Sequence, residues 1–397
     1  MSRQIRIPLI LLFSATLLGL AAATPEGASA QIRLTDPVAV FPQDFGTIQT
    51  VRELPDGQLL VADPLGLGLY RVNMDTGQME TIGREGQGPD EYRQPDAVWP
   101  LPGDSTLLVD LGNGRTVALG PDLSFGPTWP IHRGDFQPGQ PLVLALPQGV
   151  DGEGNLYARQ MGGGLGGGAY PDSASIMRID RDSGSAETAA RFKLGEVTQT
   201  TSGGANEQRV AISPIPLSPE DAWGIAPDGT VVIARVGDYH IERVAPDGTV
   251  TRGPAIPFDP VRIGTAEKEE YLTEDGRSGG GINVGVTMEN GAMSMMFRRG
   301  GGGNERAIDQ YTWPDAKPPF YSGRIPVDPL GRAWVRRHVD AGEESTYDVF
   351  DTAGNRIGTV LLNNGKRVIG FGGNAVYVVT YDEFDLNYLE KYMMPGF

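Results

Sequence analysis

Short apolar runs recur along the chain, each set off by turn residues. Gln58-Leu59-Leu60-Val61-Ala62, Asn155-Leu156-Tyr157-Ala158 and Thr230-Val231-Val232-Ile233 read as strands. A turn followed by such a run appears at Pro55-Asp56-Gly57, Gly103-Asp104, Gly152-Glu153-Gly154, Pro227-Asp228-Gly229, Pro329-Leu330-Gly331 and Gly372-Gly373-Asn374. Tight hairpins want Asp-Gly or Asn-Gly at such places. Most markers lie about 40–50 residues apart, the length of a four-stranded propeller blade. A second set of turns, among them Met74-Asp75-Thr76-Gly77, Asp182-Ser183-Gly184 and Pro246-Asp247-Gly248, would join third strands to fourth.

The pattern predicts an all-β fold, a six-bladed β-propeller over residues 31–397, with blades at roughly 46–86, 95–131, 142–193, 222–257 and 323–362 and a sixth after Arg367. The sixth has three strands of its own. Residues 32–41 are expected to supply the fourth, so that an N-terminal strand closes the last blade and removes the open sheet edges. Two stretches fall outside the repeat. Residues 161–169 are glycine-rich but lack the Gly-Lys-Ser/Thr of a phosphate loop, and read as a loop tip. Residues 258–318 form a partly helical insertion between blades 4 and 5, with Thr265 capping a helix over 266–272 and a second, methionine-rich helix over 288–297.

Residues 83–95, Gly-Arg-Glu-Gly-Gln-Gly-Pro-Asp-Glu-Tyr-Arg-Gln-Pro, sit where blade 1 crosses to blade 2. Their glycines permit a tight path, and Tyr92 is the one large anchor. This crossover resembles that of bacterial exported six-bladed propellers of the NHL/TolB-like kind, which often reads G-x-x-G-x-G-P-G-E-F-x-x-P. Gly83, Gly86, Gly88, Pro89, Glu91 and Pro95 match; Asp90 stands for a glycine and Tyr92 for a phenylalanine. The strand Val327-Asp328-Pro329-Leu330-Gly331-Arg332-Ala333-Trp334-Val335, entered through Pro318-Pro319-Phe320, is similar to a second feature of that group. The resemblance implies a fold and hardly a reaction.

Composition changes the picture in three ways. Glycine (56) and proline (31) exceed a fifth of the chain, as many short strands and turns require. The net charge of −17 would repel a phosphate backbone, so nucleic acid is an improbable partner. Arg3 and Arg6, the apolar run from 7 to 23 and Ala28-Ser29-Ala30 form a signal-peptide pattern over residues 1–30, which implies a periplasmic or secreted chain with no transmembrane segment after its removal. There is no cysteine, hence no disulfide and no thiolate ligand.

In a propeller, blade crossovers and the loops between second and third strands share one face. Counting to the ends of second strands gives Asp63, Asp110, Arg159 beside Gln160, Arg235 and Arg337, with Tyr381 and Asp382 on blade 6. His338 adjoins Arg337. Arg84, Glu85, Asp90 and Arg93 add charge from the crossover. A mouth negative over blades 6, 1 and 2 and positive over 3, 4 and 5 suits a polar small molecule or a charged protein surface. The alternative for these charges is that they pair with each other and with loop amides. His132, His240 and His338 fall on three blades at different depths and are not expected to share a metal. No cofactor is called for, although a divalent cation stays open. The function read here is extracytoplasmic binding of a ligand or protein through the crossover face; the alternative is a metal-dependent lactonase- or lyase-like enzyme at the channel mouth.

Overall fold

Six sheets of four or five strands are arranged as blades in a computed structural model that describes residues 30–132, 142–161, 170–202, 209–277, 281–289, 292–300 and 307–397. Residues 1–29, which include all but the last of those with the signal-like pattern, and the glycine-rich residues 162–169 lie outside the described residues. Blade 1 is Val51–Glu53, Leu59–Asp63, Gly68–Asn73 and Gln78–Thr81, and blade 2 is Pro95–Pro100, Thr106–Asp110, Arg115–Leu119 and Phe125–Pro130. Blade 3 runs from Gly149–Val150 through Leu156–Met161 and Ser173–Ile179 to Ala186–Lys193, and blade 4 from Ala222–Ile225 through Val231–Arg235 and His240–Val244 to Val250–Arg252. Blade 5 holds Ala333–Arg337, Ser345–Phe350 and Arg356–Leu362.

Blade 6 joins Arg367–Phe371, Ala375–Tyr381 and Asn387–Met393 to an outer strand, Ala39–Phe45, antiparallel to Asn387–Met393. The single strand expected over 32–41 is therefore divided. Its first part belongs to Ala30–Arg33, which runs parallel to Arg356–Leu362 on the outside of blade 5. Residues 36 and 37, Asp and Pro, separate the two strands.

The packing explains why the apolar runs are continuous. Leu59 and Val61 face blade 6, while Leu60 and Ala62 face blade 2. Blade 4 repeats this: Val231 and Ile233 pack on blade 3, Val232 and Ala234 on blade 5. Side chains of a strand alternate between faces, and here both faces are buried. Six apolar clusters result, one between each pair of neighbouring blades, with no common centre. Each fully buried Val or Leu contributes roughly 1.5–3 kcal/mol. The axis is left to the short first strands and to whatever fills the channel.

The motifs that carried the resemblance build the fold. Tyr92 is buried, and its hydroxyl accepts from Leu69 N at 3.2 Å. Glu91 accepts from Gly88 N at 2.7 Å and from Arg84 Nε at 2.8 Å. Asp90 has φ 57°, a left-handed conformation that explains a glycine at that place and that aspartate tolerates. In the blade 5 motif, Asp328 Oδ1 accepts from Leu330 N and Arg332 N, both at 3.0 Å, and Oδ2 accepts from Arg332 Nε and Trp334 Nε1 at 2.6 and 3.1 Å.

Among its described residues the insertion contains one α-helix, Thr265–Arg277, none of whose residues is fully buried. Its start is tied by Glu267, which accepts from Gly264 N at 2.9 Å, so Thr265 begins the helix and does not cap it. The second helix expected over 288–297 is instead part of an antiparallel hairpin, Ile282–Glu289 with Ala292–Arg299. Methionine favours helix, but the alternation Ile282, Val284, Val286, Met288 has period two, and the tertiary face decides. Ile282, Val284, Met295 and Phe297 pack on the cluster between blades 2 and 3.

Candidate functional site

The chain enters five of the six blades at the crossover face, and the residues at those entries ring the axis. Gln49 and Thr50, Asp96, Gln148, Arg324 and Arg367 all line a cavity of about 810 Å³. Helix Thr265–Arg277 and the hairpin that follows it supply further lining through Tyr271, Glu274, Ile282 and Val284, so the insertion roofs the channel. A second chamber of about 390 Å³ continues along the axis toward the hairpin-turn face. Thr50, Trp99, Gln148, Arg324, Ile325 and Pro326 line both, which places them at the waist. Gln148 Oε1 is buried there with no partner among the described residues.

Polar contacts hold the roof. Glu274 bonds Arg336 at 2.5 Å, Glu270 lies 3.4 Å from Lys317 and accepts from Gly342 N at 3.0 Å, and Arg277 Nε meets Asp385 at 2.7 Å. Gln94 clamps the hairpin by donating to Arg299 O at 3.1 Å and accepting from Arg299 N at 2.9 Å. Asp96 pairs with the Arg299 guanidinium.

Arg324 sits at the waist. Its guanidinium lies 5.3 Å from the Trp99 ring centroid, and Nη2 donates to Ile369 O at 2.9 Å and to Gln49 O at 3.4 Å. It is half-buried, and the cavity keeps it in reach of water. Burial, and then repulsion from Arg367, hold its pKa down to about 10. Arg367 donates to Ile48 O at 2.9 Å and to the Tyr381 hydroxyl at 3.5 Å. Burial raises the Tyr321 phenol, and pushes Tyr271 up to about 12 with Asp275 adding to it. Both stay protonated at neutral pH and can donate. The site can therefore bind and orient a polar molecule with guanidinium and phenol donors.

Of the residues expected at the mouth, Arg159 and Tyr381 line the cavity, and Arg159 donates there to the Tyr170 hydroxyl at 2.9 Å. The others do not line it. Asp63 accepts from Gly46 N, Thr47 N, Leu65 N and Gly66 N at 2.7 to 3.2 Å. Asp110 accepts from Arg93 N, Gln94 N and Asn113 Nδ2, and pairs with Arg115 at 3.3 Å. These two aspartates staple crossovers onto the second strands. Asp382 accepts from Phe384 N and Leu386 N, both at 2.9 Å. Arg235 is bound by Asp221 and Glu242, and Arg337 lies 3.8 Å from the fully buried Asp348. Arg84, Glu85, Asp90 and Arg93 are exposed on the crossover, away from the axis. His338 is buried against Tyr321, with ring centroids 3.8 Å apart. Burial, then the charges of Lys317 and Arg336, hold the His338 imidazole well below its ordinary range.

The count erred by one strand. Second strands lie outside the first, so their ends pair with neighbouring turns, while the first strands own the axis. Alternation adds to the error: Arg336 lines the cavity and its expected neighbour Arg337 does not, and on blade 6 Tyr381 lines it while Asp382 does not. Arg299, Arg324, Arg336 and Arg367 went unrecognised. The usable signal was position: Arg324 and Arg367 each stand five residues before the turn that ends their first strand, at Pro329 and Gly372. Among the described residues no group of three or more His, Asp or Glu side chains could hold a metal ion. His240 Nδ1 instead meets Asp238 at 2.7 Å.

No protein-family model matches the chain, and no curated protein matches it. Solved structures do. A calcium-binding regucalcin from Agrobacterium tumefaciens is 14% identical, with 93% of this chain and 97% of that one covered and a TM-score of 0.37. A protein described as exported from Bacteroides fragilis is 13% identical, with 92% and 99% covered and a TM-score of 0.42. A gluconolactonase from Xanthomonas campestris is 13% identical, with 91% and 95% covered and a TM-score of 0.38. At these values the likeness concerns the arrangement of the chain and carries nothing about chemistry. No described helix is long and apolar enough to cross a membrane.

Proposed function

We propose that this protein, an exported propeller of the NHL/TolB-like kind, is an extracytoplasmic binding protein that takes a polar small molecule in the roofed axial cavity. The observation that carries the reading is the cavity itself: about 810 Å³ on the propeller axis, bounded by first-strand residues below and by the 258–318 insertion above. That volume is within the range of small-molecule sites, and such sites combine apolar walls with a few fixed polar groups. Export rests on the signal-like pattern of residues 1–30.

The test is a ligand-observed NMR screen of small polar metabolites against the wild-type chain and Leu146→Trp. Leu146 lines the cavity and is only partly buried at the edge of the cluster between blades 2 and 3, so an indole there takes up cavity space. Hits that bind the wild type and are lost in Leu146→Trp, at an unchanged melting temperature, support the reading. Hits that bind both equally place binding elsewhere and refute it.

A further inference from the structure

Six arginines line the roofed cavity against three acidic residues, Asp96, Glu274 and Asp275, in a chain whose net charge is −17. Four of the arginines have carboxylate partners. Arg299 is held by Asp96, Arg336 by Glu274 and Arg277 by Asp385, and Arg159 lies 3.9 Å from Glu220. The remaining two, Arg324 and Arg367, have no carboxylate partner among the described residues; their hydrogen bonds go to backbone carbonyls and one phenol.

These two guanidiniums are neighbours. Arg367 donates to Ile48 O and Arg324 to Gln49 O, carbonyls of consecutive residues. A guanidinium has five N–H donors. Among the described residues Arg324 commits only Nη2, and Arg367 commits Nε and Nη2, which leaves donors on both for another acceptor. Adjacent like charges repel, and the lowered pKa of Arg324 reports that repulsion together with burial. Enclosed charges of one sign are costly unless an opposite charge joins them. The same cavity has an apolar wall of Trp99, Val109, Leu144, Leu146, Ile282 and Val284, which a bare inorganic ion would leave unused.

Building on the cavity as the binding site, we infer that its ligand is a small organic carboxylate, with the carboxylate between Arg324 and Arg367 and an apolar body along the Trp99 and Leu146 wall. Charge-assisted hydrogen bonds from guanidinium to carboxylate are about twice as strong as neutral ones. Arg324 remains stacked on Trp99 and so is already positioned. The ligand neutralises a repulsion that the fold otherwise carries.

The experiment compares matched aryl and alkyl carboxylates with their primary amides by ligand-observed NMR on the whole chain. Carboxylates are expected to bind at least about tenfold more tightly than their amides, a difference of about 1.4 kcal/mol. Arg367→Gln is expected to remove that preference, bringing acid and amide to within about threefold of each other. Arg324→Gln also removes bonds to two carbonyls and can perturb folding, so Arg324→Lys, which keeps the charge, serves beside it and should retain part of the preference. Equal binding of acid and amide, or an unchanged preference in folded Arg367→Gln, overturns the carboxylate site while leaving the cavity as a binding site. Displacement of the bound carboxylate by inorganic phosphate at equal concentration overturns the role of the apolar wall. Failure of both series to bind overturns the cavity reading as well.

Discussion

Asp63 and Asp110 end second strands, and Arg324 and Arg367 stand one strand further in, on the axis. All four are charged and enclosed. The aspartates are surrounded by donors from their own turns and from the preceding crossovers: four backbone N–H groups for Asp63, and two with an amide and a guanidinium for Asp110. The arginines have carbonyl oxygens and each other. The difference is one between charge used to complete the backbone and charge left facing a space. It suggests that the propeller rim is built for stability and its axis for recognition, and mutation can break that division.

The largest effect is expected from Asp63→Ala. Four backbone donors would lose their acceptor in a place that is 3% exposed, which should cost about 3 kcal/mol or more in urea unfolding. Arg367→Gln should cost less than about 1 kcal/mol, or even stabilise, because it removes a repelling charge while a shorter amide can still reach a carbonyl. If the two variants lose the same stability, the distinction between rim and axis fails.

Next is the roof. No residue of helix Thr265–Arg277 is fully buried; Tyr271 packs edge-on against Trp313 with ring centroids 5.7 Å apart, and polar bonds, above all Glu274 to Arg336, do the rest of the placing. Both side chains are less than a fifth exposed. Glu274→Gln should weaken the roof by about 1–3 kcal/mol. The readout is local: amide exchange should quicken over the helix, while global unfolding in urea stays within error. Slower or unchanged exchange would show that the hairpin, through Gln94 and Asp96, holds the roof by itself.

How much of this was legible in the chain follows from the same division. Blade number and order could be read because each turn needs special residues: Gly57, Gly154, Gly229 and Gly331 all have φ between 77° and 88°, and the apolar runs between them must satisfy two neighbours at once. The alternative that rim charges satisfy loop amides was also visible, and it is what Asp63, Asp110 and Asp382 do. The axial arginines were less visible because their strands are short. Gly323–Arg324 pairs in parallel with Ala222–Ile225 of blade 4, although it leads into blade 5. Such a pairing depends on the closed ring and leaves no local pattern. The hairpin at 282–299 was misread because methionine content was weighed above period two.

A smaller effect, set by pH, comes from His338. Its folded pKa is depressed by burial and by Lys317 and Arg336, whereas in the unfolded chain it is ordinary, about 6.5. Above that pH the imidazole is neutral in both states and contributes nothing. As pH falls through about 6.5 the unfolded chain takes the proton first, so stability declines, by up to about 1.4 kcal/mol per pH unit. His338→Gln should flatten the decline between about pH 6.5 and 5, where few carboxylates titrate. The same slope in wild type and variant would mean that His338 is protonated in the folded protein, and that its stack on Tyr321 is not as closed as the 3.8 Å ring separation implies.

The smallest effect should come from Arg84. It belongs to the crossover whose pattern resembles the exported propellers, yet its side chain is 77% exposed and its one ion pair, with Glu91, faces water. Exposed pairs contribute little because solvent screens them. Glu91 would keep its bond from Gly88 N, so the turn retains its tie without the arginine. Arg84→Ala should therefore leave both the melting temperature and carboxylate binding where they are in the wild type. A loss of binding at unchanged stability would return recognition to the crossover and make the outer face, not the roofed axis, the place where this propeller meets its ligand.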